Sequence, residues 1–171
     1  GEVTAAPLLF SGWYDLFLRD LLSDYVALRA AGQDPYLTIG PWYHADPRWL
    51  IPNLRESLSW FDTYLRGDPG RLREHPVRIY LMGAEEWLDY ADWPPTAAAT
   101  RYALGPGGRL AAGEPPVEAS PDRYRYDPAD PTPNIGGPLL LPPAGPLDNR
   151  PLEARRDVLT YTTDPLEADL D

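Results

Sequence analysis

Two segments of the sequence place an ionisable side chain directly after a Trp-Tyr pair. In SGWYD (11–15) that side chain is Asp15, and in GPWYH (40–44) it is His44. A carboxylate that accepts a hydrogen bond from Nδ1 of a histidine orients the imidazole ring and stabilises its protonated form. Asp15 and His44 therefore have the residue types of the acid and the base of a nucleophile triad.

The segments before these two residues predict where they lie. PLLF (7–10) and PYLTIGP (35–41) each have the apolar pattern of a buried strand, and each precedes one of the two residues by a few positions. In doubly wound sheets, functional side chains lie at the carboxyl ends of the parallel strands. Because neighbouring strands are about 4.8 Å apart, we expect Asp15 and His44 to lie within hydrogen-bonding reach.

Each predicted strand is followed by a predicted amphipathic helix, over residues 13–32 and 53–67, and Gly32 is a plausible C-terminal stop for the first. Apolar residues recur at helical spacing in both: Phe17, Leu21, Tyr25 and Leu28 in the first, and Leu54, Leu58, Phe61 and Leu65 in the second. Strands that alternate with helices imply right-handed crossovers and a parallel sheet.

The second half of the chain has a different character. It holds most of the 22 prolines, which disfavour helices, and PVRIYLMG (76–83) alternates like a strand with one wet face. Further short strands are predicted in three segments: TRYALG, DRYRYD and RDVLTYTT. We predict the α/β class, with a parallel-sheet domain over 1–70 and an incomplete β-sandwich over 71–171.

Composition disfavours several classes of function. The formal net charge is −11 and all 15 basic residues are arginine, which argues against nucleic acid or an anionic membrane as partner. The absence of cysteine excludes disulfides and thiol nucleophiles. Without a signal peptide pattern or a long apolar segment, we expect a soluble, cytoplasmic chain, although a leader could lie in a missing N-terminal region.

The nucleophile of the expected triad is missing from the sequence. In α/β-hydrolases the chain order is nucleophile, acid, histidine, so the serine should precede Asp15 in a G-x-S-x-G elbow. No serine in the sequence has those neighbours, Ser11 included. From the residues alone, Asp15 could instead be a helix cap or turn residue, and His44 a polar loop residue.

The segments SGWYDLF and IGPWYH resemble the acid and histidine motifs of the CocE/NonD family of serine hydrolases. WFDTYLRG, PVRIYLMG, EEWLDYADWPP, YRYDPADPTPNIGG and RPLEARRDVLTYTTDPLEADL extend the resemblance over nearly the whole chain. It implies the C-terminal part of an α/β-hydrolase sheet followed by an incomplete jelly roll, with Asp15 and His44 as triad acid and base. The serine elbow would precede this segment, so the segment alone is predicted to be inactive.

The same resemblance implies further site residues. Phe17 corresponds to an aromatic ring near the acyl pocket, although packing on the helix face explains it equally well. Leu139 and Leu140 correspond to a loop of the β domain over the site, although plain strand packing explains these two leucines better. The implied partner is a small ester, amide or peptide substrate, with no cofactor. No metal site is predicted, because the acidic residues of DPADPTPN (127–134) match no EF-hand and His75 has no companion ligand.

Two other functions remain open at this point. The Trp- and Tyr-rich second half could be a non-catalytic module that binds carbohydrate or protein. A glycosidase would need a pair of carboxylates across a cleft, and no pair is singled out by its neighbours. We also expect the isolated segment to be poorly stable, since its first strand would be an unpaired edge.

Overall fold

The computed structural model describes residues 3–114 and 120–167. These residues form two compact units. The first is built on the chain up to Pro95 together with Gly136–Leu147, and the second on Thr96–Ile135 together with the chain from Asp148 onward.

A four-stranded mixed sheet forms the centre of the first unit. Its strands are β1 (Leu8–Tyr14), β2 (Tyr36–Tyr43), β3 (Val77–Leu81) and β4 (Glu86–Tyr90), in the order β1-β2-β3-β4. The β1–β2 and β2–β3 pairs are parallel, and β3–β4 is antiparallel. The three strands predicted from PLLF, PYLTIGP and PVRIYLMG are confirmed.

Two helices pack against the sheet: α1 (Leu18–Ala30) and α2 (Leu50–Arg66). Tyr25 of α1 is fully buried against Leu37 and Ile39 of β2. Because side chains alternate along a strand, the neighbouring Thr38 points to the other face. There its hydroxyl donates a hydrogen bond to Glu56 of α2 at 2.6 Å, so the two helices lie on opposite faces.

The first helix ends where the sequence indicates. Gly32 has φ of +78° and its N–H donates to the carbonyl of Arg29, while the N–H of Gln33 donates to the carbonyl of Leu28. The left-handed conformation at this position favours glycine, as the C-terminal stop requires.

The apolar face predicted for α2 forms, but it is turned away from the sheet. Leu54, Leu58, Phe61 and Leu65 are all at least half exposed, whereas Trp60 on the opposite side of the helix is buried. The spacing of the apolar residues predicted the helix, and the tertiary structure decides which side of it faces the strands.

The second unit contains an antiparallel pair, β5 (Tyr102–Gly105) and β6 (Arg109–Ala112), and a short helix, α3 (Arg150–Glu153). The strand predicted in TRYALG is confirmed. The prediction of a strand in DRYRYD is wrong, since residues 122–127 are irregular. The segment RDVLTYTT contributes only one bridge, between Thr162 and Arg109. The predicted jelly roll stays a prediction.

Charged and tyrosine side chains pair within the second unit. The guanidinium of Arg155 lies 3.1 Å from Asp130 and 2.7 Å from Asp157. Hydrogen bonds to the carboxylates of Asp157 and Asp130 raise the pKa of Arg155. The Tyr161 hydroxyl donates to Asp122 at 2.6 Å. These contacts connect the irregular segments of the second unit through side chains.

The division of the chain near residue 70 also stays a prediction. Although β3 and β4 follow residue 70, they are part of the sheet of the first unit. Gly136–Leu147 also belongs to the first unit. None of the helices within 3–114 and 120–167 has both the length and the apolar character of a membrane-spanning segment.

Candidate active site

The register of β1 and β2 brings Asp15 and His44 together. The two strands pair from Leu8 and Tyr36 onward, residue by residue, and a bulge then adds one residue to β2 before Tyr14 pairs with Tyr43. Asp15 and His44 each directly follow a member of that last pair. The bulge therefore compensates for the extra residue in GPWYH and gives both side chains equivalent positions.

The carboxylate of Asp15 faces the Nδ1 atom of His44. Its two oxygens lie 3.2 Å and 3.3 Å from that nitrogen. The Asp15 side chain is 14% exposed and that of His44 is 42% exposed. The carboxylate is thus largely enclosed, while the imidazole ring remains accessible to a reacting group.

The backbone around Asp15 orients its carboxylate. One carboxylate oxygen accepts a hydrogen bond from the N–H of Phe17 at 2.8 Å, and the N–H of Asp15 donates to the carbonyl of Gly12 at 2.9 Å. Aspartate commonly makes such turns. The turn interpretation and the pairing with His44 are therefore both correct descriptions of this residue.

Phe17 lies against the histidine. Its ring meets that of His44 edge-on, with centroids 5.1 Å apart and an interplanar angle of 77°, and its side chain is about half exposed. Phe17 occupies the capping position of α1 and does not pack in the core. The structure thus brings this predicted site residue to the candidate base.

Trp42 supports the loop that carries His44. A Cβ at Gly12 would collide with the backbone of Trp42, and one at Gly40 would collide with its ring. The Trp42 ring also stacks on Phe10, with centroids 5.2 Å apart. Sequence reasoning missed the role of these two glycines, although both motifs place a glycine shortly before the aromatic pair.

A cavity of about 270 Å³ lies beside the pair. Asp15 and His44 line it together with Phe10, Trp49 and Asn53. No motif in the sequence pointed to the last three, because they come from β1, a short 3₁₀ turn and the start of α2. Ser11 also borders this cavity, but its buried hydroxyl has no hydrogen-bond partner among the described residues.

The loop after His44 is fixed by an ion pair. The buried Asp46 accepts hydrogen bonds from the N–H of Arg48 at 3.0 Å and from its Nε at 2.9 Å. Hydrogen bonding to the Arg48 side chain holds the pKa of Asp46 below its usual value, against the opposing effect of burial. The N–H of Asp46 also donates to the carbonyl of Tyr43, which closes the turn around the histidine.

The other predicted site residues lie elsewhere. Leu139 and Leu140 follow Gly137, which forms paired hydrogen bonds with Gly145, and neither leucine lines the cavity beside His44. Their contact with substrate stays a prediction. His75 is exposed, and within 3–114 and 120–167 no cluster of histidine and acidic side chains has the form of a metal site.

Comparison with known proteins identifies the family. Residues 70–171, more than half of the chain, match the family described as the X-Pro dipeptidyl-peptidase C-terminal non-catalytic domain. The chain is also 37% identical to cocaine esterase from Rhodococcus sp. (strain MB1 Bresler), over 97% of its length. The chain belongs to the CocE/NonD hydrolase family.

This CocE/NonD chain also resembles a solved structure. A crystal structure of an aminopeptidase from a marine sediment archaeon, Thaumarchaeota archaeon, matches 96% of the chain with a TM-score of 0.69 and 25% identity. The chain spans about a third of each relative, 33% of the esterase and 31% of the aminopeptidase. Asp15 and His44 both precede the region that matches the non-catalytic domain.

Proposed function

We propose that this chain supplies the acid and the base of a serine hydrolase that cleaves esters, amides or X-Pro peptides through an acyl-enzyme. One observation carries the proposal: the Asp15 carboxylate lies 3.2 Å from Nδ1 of His44, at the carboxyl ends of adjacent parallel strands. A module that only bound carbohydrate or protein would have no reason to bring these two side chains together.

The proposed chemistry follows from the tautomer that this contact favours. When the Nδ1–H group of His44 donates a hydrogen bond to the Asp15 carboxylate, Nε2 is unprotonated and can act as a base. His44 then removes the proton of a serine hydroxyl as the serine oxygen attacks the substrate carbonyl, and returns that proton to the leaving group. Water that is deprotonated by the same nitrogen releases the acyl group, and Asp15 stabilises the imidazolium formed in each step.

The serine would come from outside the part of the hydrolase represented here. The sequence has no G-x-S-x-G segment, and the chain spans only about a third of its relatives. Triad members act as a unit, so the acid and base without a nucleophile give little catalysis. We therefore expect the chain by itself to be inactive.

The remaining site residues enter the proposal with distinct roles. Phe17, in edge contact with His44, would contact the acyl group as the serine attacks. Leu139 and Leu140 would reach the substrate from the loop between Gly137 and Gly145. In this proposal, residues 71–171 are the start of a jelly roll, which the family match over 70–171 and the β5–β6 pair support.

The proposal can be tested in a full-length enzyme. In an esterase chimera, this chain replaces the matching third of Rhodococcus cocaine esterase, and hydrolysis of 4-nitrophenyl acetate is measured. We expect Asp15→Asn to lower kcat by about 10,000-fold and His44→Ala to lower it by at least as much. The matched controls, His75→Ala and the exposed Asp24→Asn, should leave it unchanged. Full activity of the His44→Ala chimera would contradict the proposal.

A further inference from the structure

A second cavity of the first unit is lined by arginines. Its volume is about 170 Å³, and its wall includes Arg55, Arg71, Arg73 and Arg78. Among the described residues, the wall contains one acidic side chain, Glu56. The whole chain has 26 acidic and 15 basic residues, so the charge balance at this cavity is locally reversed.

Two of the four arginines are held in place by neighbouring groups. The guanidinium of Arg73 lies 2.7 Å from Glu56 and donates to the carbonyl of Leu37 at 2.9 Å. The guanidinium of Arg78 makes two hydrogen bonds to Asp89, at 2.7 Å and 2.8 Å. These contacts fix two positive charges in the wall of the cavity before any ligand binds.

The carboxylate of Glu56 is already engaged. It accepts a hydrogen bond from the Thr38 hydroxyl at 2.6 Å and pairs with Arg73, and Arg78 lies 4.0 Å from its other oxygen. Its negative charge is therefore directed at groups of the protein and is balanced by the two fixed arginines.

Positive charge remains in excess when the nearby carboxylates are counted. The wall alone carries four positive charges and one negative charge. Asp89 pairs with Arg78 and Asp68 lies near Arg71, although neither carboxylate lines the cavity. With both included, the positive charges still outnumber the negative ones, four to three. A concave surface with such an excess attracts anions.

The other two arginines have donors to spare. Arg55 is exposed, and its guanidinium has neither an ion pair nor a hydrogen bond within the part of the chain that the structure describes. Arg71 is also exposed, and its ion pair with Asp68, at 3.8 Å, is too long for a hydrogen bond. Two guanidinium groups at one cavity are thus able to bind a ligand.

We propose that this cavity binds a phosphate group, either as free phosphate or as part of a small phosphate ester. Arg55 and Arg71 would donate hydrogen bonds to its oxygens, and the fixed charges of Arg73 and Arg78 would strengthen the attraction. The site uses neither Asp15 nor His44, so this inference is independent of the proposed function.

The size of the cavity and the number of free donors both favour a phosphate group. A volume of about 170 Å³ is below the range of about 300–1,000 Å³ that is typical of small-molecule sites, so only a small group would be enclosed. One guanidinium fork can occupy both oxygens of a carboxylate, whereas a phosphate group has enough oxygens and charge for two forks.

Calorimetric titration of the esterase chimera with inorganic phosphate, at constant low ionic strength, tests the site. We expect saturable binding, and Arg55→Gln/Arg71→Gln should raise Kd at least tenfold. The control Arg19→Gln/Arg66→Gln removes the same charge at two exposed arginines outside the cavity wall, and should change Kd less than twofold. Without phosphate, the two double variants should have equal thermal midpoints, which shows that the mutated cavity still folds.

Comparison with other anions tests the choice of phosphate. Acetate should bind at least tenfold more weakly than phosphate, and equal affinity would overturn the assignment to a phosphate group. Glycerol 3-phosphate distinguishes the two sources: tighter binding than that of phosphate would identify a phosphate ester, and weaker binding would identify free phosphate. An absence of saturable phosphate binding, or an equal rise in Kd in both double variants, would overturn the proposal.

Discussion

The indole ring of Trp42 fills the space that a Cβ at Gly40 would need. Gly40→Ala must therefore displace Trp42, which lies two residues before His44. We expect this change in the esterase chimera to lower kcat at least tenfold and to cost about 1–3 kcal/mol of stability through overpacking. Gly70→Ala is the control, because a Cβ there meets only the carboxylate of Asp68 at an ordinary 3.4 Å. Unchanged kcat in Gly40→Ala would contradict a role for Trp42 in positioning the histidine.

A hydrogen bond connects the core of α1 to the segment after β4. The hydroxyl of the buried Tyr25 donates to Asp92 at 2.8 Å, and burial, followed by this hydrogen bond, raises the pKa of Tyr25. Tyr25→Phe keeps the ring and removes the donor, so it should cost about 1–2 kcal/mol and lower the thermal midpoint of the chimera by several degrees. Tyr126→Phe, at an exposed position, should leave the midpoint unchanged. Equal midpoints for the two variants would disprove the expectation.

Two ion pairs on α2 differ in burial. Glu56 and Arg73 are 16% and 12% exposed, and Thr38 also donates to Glu56. Removal of Glu56 would leave a largely buried arginine and hydroxyl without this partner, so Glu56→Ala should cost about 3 kcal/mol. Asp62 pairs with the exposed Arg66 one turn later, and Asp62→Ala should cost only about 0.3–0.5 kcal/mol. Calorimetry of the two chimeras provides the comparison, and a larger effect of Asp62→Ala would refute it.

The loop after His44 should make stability depend on pH. The pKa of Asp46 is lower in the folded protein than its ordinary value, chiefly because its carboxylate accepts hydrogen bonds from the Arg48 side chain. The stabilisation is therefore present above about pH 4, the value for an unfolded aspartate, and is lost as the pH falls through the folded-state pKa.

Asp46→Asn in the chimera should consequently lower the thermal midpoint most near neutral pH, with the difference from the unchanged chimera shrinking below pH 4. Midpoints measured from pH 3 to pH 7 test this, with the exposed Asp24→Asn as control. A difference that is constant over the whole range would show that the carboxylate charge contributes nothing.

The isolated chain should be poorly stable. In the part of the chain that the structure describes, the leucine-rich face of α2 and one edge of β1 are exposed. We expect a broad thermal transition and binding of a hydrophobic dye. A sharp cooperative transition of the chain alone by calorimetry would show this expectation to be wrong.

The candidate pair could be predicted from the sequence because its determinants are local. A strand pattern followed by an ionisable residue occurs twice, at Asp15 and at His44, and parallel pairing of the two strands places their carboxyl ends at one edge. The residues of the cavity wall could not be found in this way. The cavity brings together Phe10, Trp49 and Asn53 because α2 and the 3₁₀ turn before it pack against β1. That packing leaves no periodic pattern in the sequence.

The sequence by itself determined the strands β1, β2 and β3, the two long helices and the candidate pair Asp15 and His44, because apolar periodicity and turn residues act over short stretches of chain. Only the tertiary structure decided that α2 turns its leucines outward and that residues 122–127 form no strand. The orientation of α2 depends on partners distant in sequence, because Tyr36 and Arg73 contact its inner side. In the irregular segment, Asp122 accepts a hydrogen bond from the distant Tyr161. Such contacts compete with local preference and leave no trace in a linear pattern.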